Sequence, residues 1–375
     1  MRQERIKIMS IFGTRPEAVK MAPLILEMQK NPLIQSIVTV SAQHREMLDK
    51  ILNTFGIVPD FDLDIMKNNQ TLPYVTKEIM SRLEPILIQV KPDLVLIHGD
   101  TTTALISALI AFYNKIPIGH VEAGLRTRNK YSPFPEELNR RLIGVIADLH
   151  FAPTAQAAEN LLSENIHPHA IFVTGNTVID ALKTTVRPSF RHEILDKIGN
   201  HRLILLTTHR RENIGNPMRN IFRAIKRIVN ENDHVQVVYP VHPNPAVMEA
   251  AHHELGNNSR IHLIHPLNVE DFHNIAARSY LILTDSGGIQ EEAPSLGIPV
   301  LVLRDTTERP EGVKAGTLKV AGTSEESVYE SIKELLNNRQ LYDRMANAPN
   351  PYGDGTASQK IIRHIIEYFK GENRP

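Results

Sequence analysis

Apolar positions along the chain fall into short β-branched runs, separated by longer stretches whose apolar residues recur at helical spacing. The runs Lys7–Phe12, Ser36–Val40, Asp93–His98, Ile116–Val121, Leu149–Ala152 and Ile171–Thr174 predict a first series of strands. Leu203–Thr208, Val235–Tyr239, Ile261–Ile264, Tyr280–Thr284 and Pro299–Leu303 predict a second. Strands alternating with helical patterns are what a parallel sheet with crossover helices produces, so the chain reads as α/β, with two doubly wound Rossmann-like domains in tandem. Residues 181–200 carry neither strand alternation nor a firm helical stripe and are read as the hinge, which gives expected domains of 1–185 and 186–357. The breaker cluster Pro349–Gly355 then precedes Ile361, Ile362, Ile365, Ile366 and Phe369 at helical spacing, a closing helix that periodicity alone lets pack on either domain.

Length and composition narrow the function classes. A chain of 375 residues has room for two cores. Lys plus Arg and Asp plus Glu balance at 42 each, so no net charge calls for nucleic acid or an anionic membrane, whereas a small anionic ligand needs only a local patch. The start lacks a signal-peptide pattern, and no apolar stretch reaches the roughly 18–20 residues that span a bilayer. The absence of cysteine excludes disulfides, thiolate catalysis and cysteine-ligated zinc, and fits a cytoplasmic location.

In parallel α/β sheets ligands bind beyond the carboxyl ends of the strands, and polar residues gather there in this chain. Gly13-Thr14-Arg15-Pro16-Glu17, with Lys20 a turn later, places two cations beside a helix start suited to an anion. Asp100, in His98-Gly99-Asp100-Thr101, suits a helix N-cap as well as a reactive carboxylate; Glu122 precedes a poor helix start; Glu136 could serve only the dipole of a helix beginning at Pro135. Were the three to converge, mutual repulsion would raise their pKa values and make them usable proton carriers near neutrality. In the second half, His209-Arg210-Arg211 ends one strand, while Asp285-Ser286-Gly287-Gly288 leads into Glu292, a turn fit for a diphosphate followed by an acid fit for a ribose diol. His242 and Arg309 are further strand-end candidates, and the Gln43-His44-Arg45 cluster reads as a loop face or part of a ligand site. No Walker motif or HExxH occurs, Gly353-Asp354-Gly355 reads as a loop, and His262 with His265 reads as a packed or solvated pair, so neither a nicotinamide cofactor nor a metal is expected.

Gly13–Glu17, His98–Thr103, Val121–Thr127, Phe134–Arg140, Thr208–Asn213, Val241–Pro245 and Ser286–Pro294, in this order, resemble the non-hydrolysing UDP-N-acetylglucosamine 2-epimerases over nearly the whole chain. The resemblance implies a glycosyltransferase-B-like fold with a central cleft and a closing segment, 358–375, packed back on the first domain. It implies conversion of UDP-N-acetylglucosamine to UDP-N-acetylmannosamine by loss and return of UDP, without a cofactor, for a cell-surface polysaccharide or teichoic acid pathway. Asp100, Glu122 and Glu136 would be the acid/base carboxylates with His209 beside them. Arg15, Lys20, Phe272, Ser286, Gly287, Gly288, Glu292 and Arg309 would hold the UDP portion, with His242 close by. A homodimer is implied, as is activation by the substrate at a second site drawing on Gln43, Gln70, Arg210 and His242; Ala42 and Asn69 stand where glycine and arginine are expected. A UDP-sugar glycosyltransferase and a non-catalytic nucleotide-sugar sensor are the alternative readings.

Overall fold

The computed structural model describes residues 5–371. Among the described residues, thirteen strands form two sheets in which every pairing is parallel. The first sheet holds β1 (Ile6–Phe12), β2 (Ile34–Val40), β3 (Phe61–Asp62), β4 (Leu94–His98), β5 (Ile118–Val121), β6 (Leu149–Ala152) and β7 (Ile171–Val173), in the order β3-β2-β1-β4-β5-β6-β7. The second holds β8 (Arg202–Thr207), β9 (Val235–Pro240), β10 (Ile261–Ile264), β11 (Leu281–Thr284), β12 (Val300–Val302) and β13 (Leu318–Val320), in the order β10-β9-β8-β11-β12-β13. Both sheets are buried on both faces, which is why their strands read as nearly continuous apolar runs. The two parallel α/β sheets are those the alternation predicts. It misses only β3 and β13, two and three residues long, which are too short to show a period. Within 181–200, read as irregular, the chain forms the end of a helix, Thr177–Thr185, and a short one, Glu193–Ile198.

One compact unit runs to Thr184 and resumes at Tyr352; the other is Thr185–Pro351. In the first, Met9, Ile11, Val95 and Ile97 pack against Ile79, Leu83, Ala104 and Ala108 from the helices Leu72–Val90 and Thr102–Tyr113. In the second, the helix Asn216–Glu231 buries Met218, Ile221, Phe222, Ile225, Ile228 and Val229, an i, i+3, i+4 stripe set against Ile204, Leu206, Val237 and Tyr239. Each sheet has one point where strand order reverses, β1/β4 in the first and β8/β11 in the second. Ligand sites of open α/β sheets lie at such points.

The closing helix Ala357–Lys370 packs on the helix Arg15–Lys30 of the first unit. Its entry is fixed by a buried carboxylate: Asp180 accepts the Ala357 amide at 3.2 Å and the Ser358 amide at 2.8 Å. Just upstream, the Asn176 amide donates to the Tyr352 carbonyl at 2.7 Å, and Gly175 and Gly353, both at positive φ, lie so close that a Cβ on Gly175 would sit 3.1 Å from the Gly353 Cα. Asp180→Ala would leave two helix-start amides without their acceptor and should cost about 1–3 kcal/mol in urea unfolding. Unchanged stability would show that the closing helix does not depend on this cap.

Candidate functional site

In the first unit the candidate carboxylates come from the carboxyl ends of neighbouring strands. β4 and β5 pair with His98 opposite Val121, and the Gly99 amide continues the ladder to the Val121 carbonyl at 2.9 Å, so Asp100 and Glu122 emerge side by side. Asp100 is not the cap of the following helix, one of its two sequence readings. Thr101 takes that role, its hydroxyl accepting the Ala104 amide at 3.0 Å. Asp100 instead meets Arg140 at 3.2 Å, and its carboxyl is pushed up to about 6, chiefly by burial; Arg140 opposes the shift, and the charges of Glu122 and Glu136 add to it. Glu136 is the first residue of the helix Glu136–Ile146 and has a half-buried side chain. Asp100 thus feels the charges of Glu122 and Glu136 within one unit, although burial is the larger cause of its shift.

Glu122 sits at φ +63, a conformation that costs a non-glycine residue about 1 kcal/mol and that persists where the surroundings over-determine it. Its carboxylate accepts from the Lys20 ammonium and, at 2.8 Å, from the Asn176 side-chain amide, with the His98 Nε2 at 3.8 Å. Lys20, expected on the UDP portion, is therefore in contact with a carboxylate of the acid/base set. His98 and His120, both fully enclosed, are held neutral, pushed by burial down to about 4 and about 3.

The Gly13–Glu17 turn has an occupant of its own. Glu17, buried, accepts the amides of Gly13 at 3.0 Å and Thr14 at 2.8 Å and the Thr101 hydroxyl at 2.8 Å; burial raises its pKa. Those amides are spent inside the chain, which leaves the side chains of half-buried Arg15 and of Lys20 as the turn's cations. A Cβ on Gly13 would fall 1.9 Å from the Ser41 hydroxyl, which explains the glycine by packing. Gln43 and Gln70 are brought together: the Gln70 amide donates to the Gln43 carbonyl at 2.9 Å, and the Gln43 side chain accepts from Thr103 at 3.0 Å. Ala42 and Asn69 both lie at positive φ, +52 and +55, so the position where glycine is expected does ask for glycine's conformation.

In the second unit, His209 and Arg210 follow β8, and Asp285 to Gly288 follow the adjacent β11. Asp285, fully buried and read from sequence only as the start of a turn fit for a diphosphate, organises the loop beside it. One of its oxygens accepts the Thr208 hydroxyl at 2.8 Å, the His209 and Arg210 amides at 2.9 Å each, and the Asn213 side chain at 3.0 Å. Its other oxygen lies 3.6 Å from the His209 Nδ1. The His209 ring stacks on His242 at 5.1 Å, and its pKa is lowered, first by burial and further by His242 and Arg210.

Gly287 opens the short helix Gly287–Glu292 between two guanidiniums, with Nη2 of Arg210 and of Arg309 each 3.7 Å from where a Cβ would stand. The Ser286 amide is taken by the Thr284 hydroxyl at 2.9 Å. Arg309 is braced by buried Glu291, and Glu292 by the enclosed His273 at 3.2 Å. Phe272 packs on the apolar cluster under this end of the sheet. The residues missed from sequence are those that hold others: Glu17, Arg140, Asn176, Asp285 and Glu291. Among the described residues no group of three His, Asp or Glu side chains could hold a metal, and no helix is long and apolar enough to cross a membrane.

A family model described as UDP-N-acetylglucosamine 2-epimerase matches residues 26–366. The chain is 62% identical to a UDP-N-acetylglucosamine 2-epimerase of Bacillus subtilis over 366 residues, which cover 98% of this chain and 96% of that one. A crystal structure of a UDP-N-acetylglucosamine 2-epimerase, 60% identical, superposes with a TM-score of 0.92 over 98% of this chain and 97% of the other. The Neisseria meningitidis UDP-GlcNAc 2-epimerase, solved bound to UDP-GlcNAc, is 49% identical with a TM-score of 0.86 over 96% of this chain and 100% of that one.

The raised carboxyl of Asp100 has a thermodynamic signature. Its folded pKa of about 6 lies above the ordinary 3.8, so between those values the folded chain binds more protons than the unfolded chain and loses stability as pH rises. Asp100→Asn removes that cost. Its stability should match the native chain's near pH 4 and exceed it by roughly 2–3 kcal/mol at pH 8. Urea unfolding across this range checks the window; a difference independent of pH would contradict it.

Proposed function

The chain belongs to the UDP-N-acetylglucosamine 2-epimerase family, and on that premise we propose that it inverts carbon 2 of UDP-N-acetylglucosamine by eliminating UDP and adding it back. Carbon 2 is not next to a carbonyl, so its proton is too weakly acidic to exchange directly. Removing it while the bond from carbon 1 to the UDP oxygen breaks solves the problem. The C–H electron pair becomes the C1–C2 double bond of a 2-acetamidoglucal, and the bond to oxygen leaves with UDP as the diphosphate anion. Return of the UDP oxygen to carbon 1, with a proton delivered to carbon 2 from the opposite face, gives UDP-N-acetylmannosamine.

The observation that carries this reading is the interacting trio Asp100, Glu122 and Glu136. A base and an acid are needed on opposite faces, and their roles exchange when the reaction runs backwards. Glu122, held by an ammonium and an amide donor, suits the ionised partner. Asp100, titrating near 6, suits a group that both holds and releases a proton at neutral pH. The departing diphosphate calls for cations, which Arg210 and Arg309 beside Gly287 supply, with His209 as the neighbouring imidazole and Glu292, braced by His273, as the ribose ligand. We assign Arg15, Ser286, Gly288, Phe272 and His242 to the same nucleotide portion.

A homodimer is supported by an apolar surface on two packed helices of the first unit, where Phe112, Tyr113, Leu138, Leu142 and Val145 are exposed. The hydrogen-bonded Gln43 and Gln70, with Arg210 and His242, are proposed to take a second substrate molecule as activator. A cytoplasmic location accords with a nucleotide-sugar substrate.

Incubation with UDP-N-acetylglucosamine in deuterated water, followed by proton NMR, should show deuterium entering carbon 2 together with a UDP-N-acetylmannosamine signal. Glu122→Gln should lower turnover by about two orders of magnitude or more while UDP binding is kept. Free N-acetylmannosamine as the main product, dependence on a sugar acceptor, or binding without exchange would each overturn the reading.

A further inference from the structure

Glu122 combines three features: a left-handed backbone, a carboxylate nine-tenths buried, and donors converging on one of its oxygens. One donor is Lys20. The other is Asn176, whose own placement is set at three points. Its amide N–H is held by the Tyr352 carbonyl at 2.7 Å, its side-chain oxygen accepts the Val178 amide at 3.1 Å, and the side chain is enclosed at 3% exposure. Because the Val178 amide claims the oxygen, the NH2 end must face Glu122. The residue thus presents a fixed donor, not an adaptable one. Next to it, Gly175 and Gly353 approach closely, a Cβ on Gly175 falling 3.1 Å from the Gly353 Cα, which packs the segment carrying Asn176 against the point where the chain re-enters this unit.

We propose that Asn176 is a positioning residue for the epimerisation: it holds the Glu122 carboxylate ionised and in one orientation against a strained backbone. The inference rests on the proposed role of Glu122 and adds to it a group that touches neither sugar nor nucleotide. A lysine alone would keep the carboxylate charged but, as a flexible point charge, would not fix its plane. A rigid amide donor on the same oxygen does.

Asn176→Asp is the discriminating variant. It is nearly isosteric and keeps an acceptor for the Val178 amide, but it turns the donor facing Glu122 into a second carboxylate. Lys20, His98 and Asp100 are among the groups around Glu122; an added negative charge beside it raises its pKa. The expected result is a fall in kcat of about 100-fold, KM for UDP-N-acetylglucosamine within about threefold of native, and an acid limb of the kcat profile moved to higher pH by about one unit. Asn176→Ser, which still caps the Val178 amide but is too short to reach Glu122, should lose about tenfold or more in kcat with UDP binding unchanged. It decides the matter should the Asp variant fail to fold. Native-like kcat and an unmoved acid limb in a folded Asp variant, or native-like kcat in the Ser variant, would overturn the proposal. The native enzyme assayed alongside separates this outcome from failure of the epimerase reading, in which the native chain itself would show no exchange.

Discussion

Buried carboxylates that accept backbone amides set the geometry on which everything else in both units depends. Glu17 gathers the amides of Gly13 and Thr14 and the hydroxyl of Thr101, tying the loop after β1 to the loop after β4. Glu137, with no exposed surface, accepts the amides of Thr127 at 2.9 Å and Arg128 at 3.0 Å and lies 3.5 Å from Arg140, the cation that faces Asp100. Asp285 does the same for the loop carrying His209 and Arg210. A buried carboxyl is expensive to desolvate and needs several donors around it, so each of these loops is held in the arrangement that supplies its anchor. Loops tied in this way can present reactive side chains with the precision of the sheets beneath them.

Asp100 therefore differs from the structural acids by its neighbours. Glu17, Glu137 and Asp285 each receive backbone N–H donors, which commits them to the fold. Among the described residues, Asp100 receives no such backbone donor: burial, helped by like charges and opposed by a guanidinium at 3.2 Å, pushes its carboxyl up to about 6. Had Asp100 capped the helix after β4, a backbone amide would have held its proton affinity down; Thr101 takes the cap and leaves Asp100 to titrate.

Much of this was legible in the chain. The apolar runs reveal both sheets because parallel strands are covered on both faces, and the polar residues that end them lie where strand order reverses. Asp100, Glu122 and Glu136 stand out as acids at strand and helix ends, but their interaction depends on β4 and β5 being neighbours, which no local pattern encodes. Asn176 and Asp285 were harder to find. An asparagine or aspartate next to a turn reads as a cap, and only the three-dimensional partner, 54 or 76 residues away, reveals what it holds. Glu17 stands in the first turn with its neighbours in what reads as an anion site, whereas its own carboxyl takes up the amides of that turn.

The first unit is discontinuous, and this has a bearing on how the protein is made. A ribosome delivers residues in order, so strands β1 to β7 and the acids Asp100, Glu122 and Glu136 are synthesised well before Tyr352, whose carbonyl holds Asn176, and before the closing helix that Asp180 caps. Until the last stretch emerges, the amino-terminal half carries its carboxylates but lacks the clasp beside them. The clasp beside Glu122 thus comes together only once Tyr352 has been translated, after the whole of the second unit, which lies in sequence between the two pieces of the first.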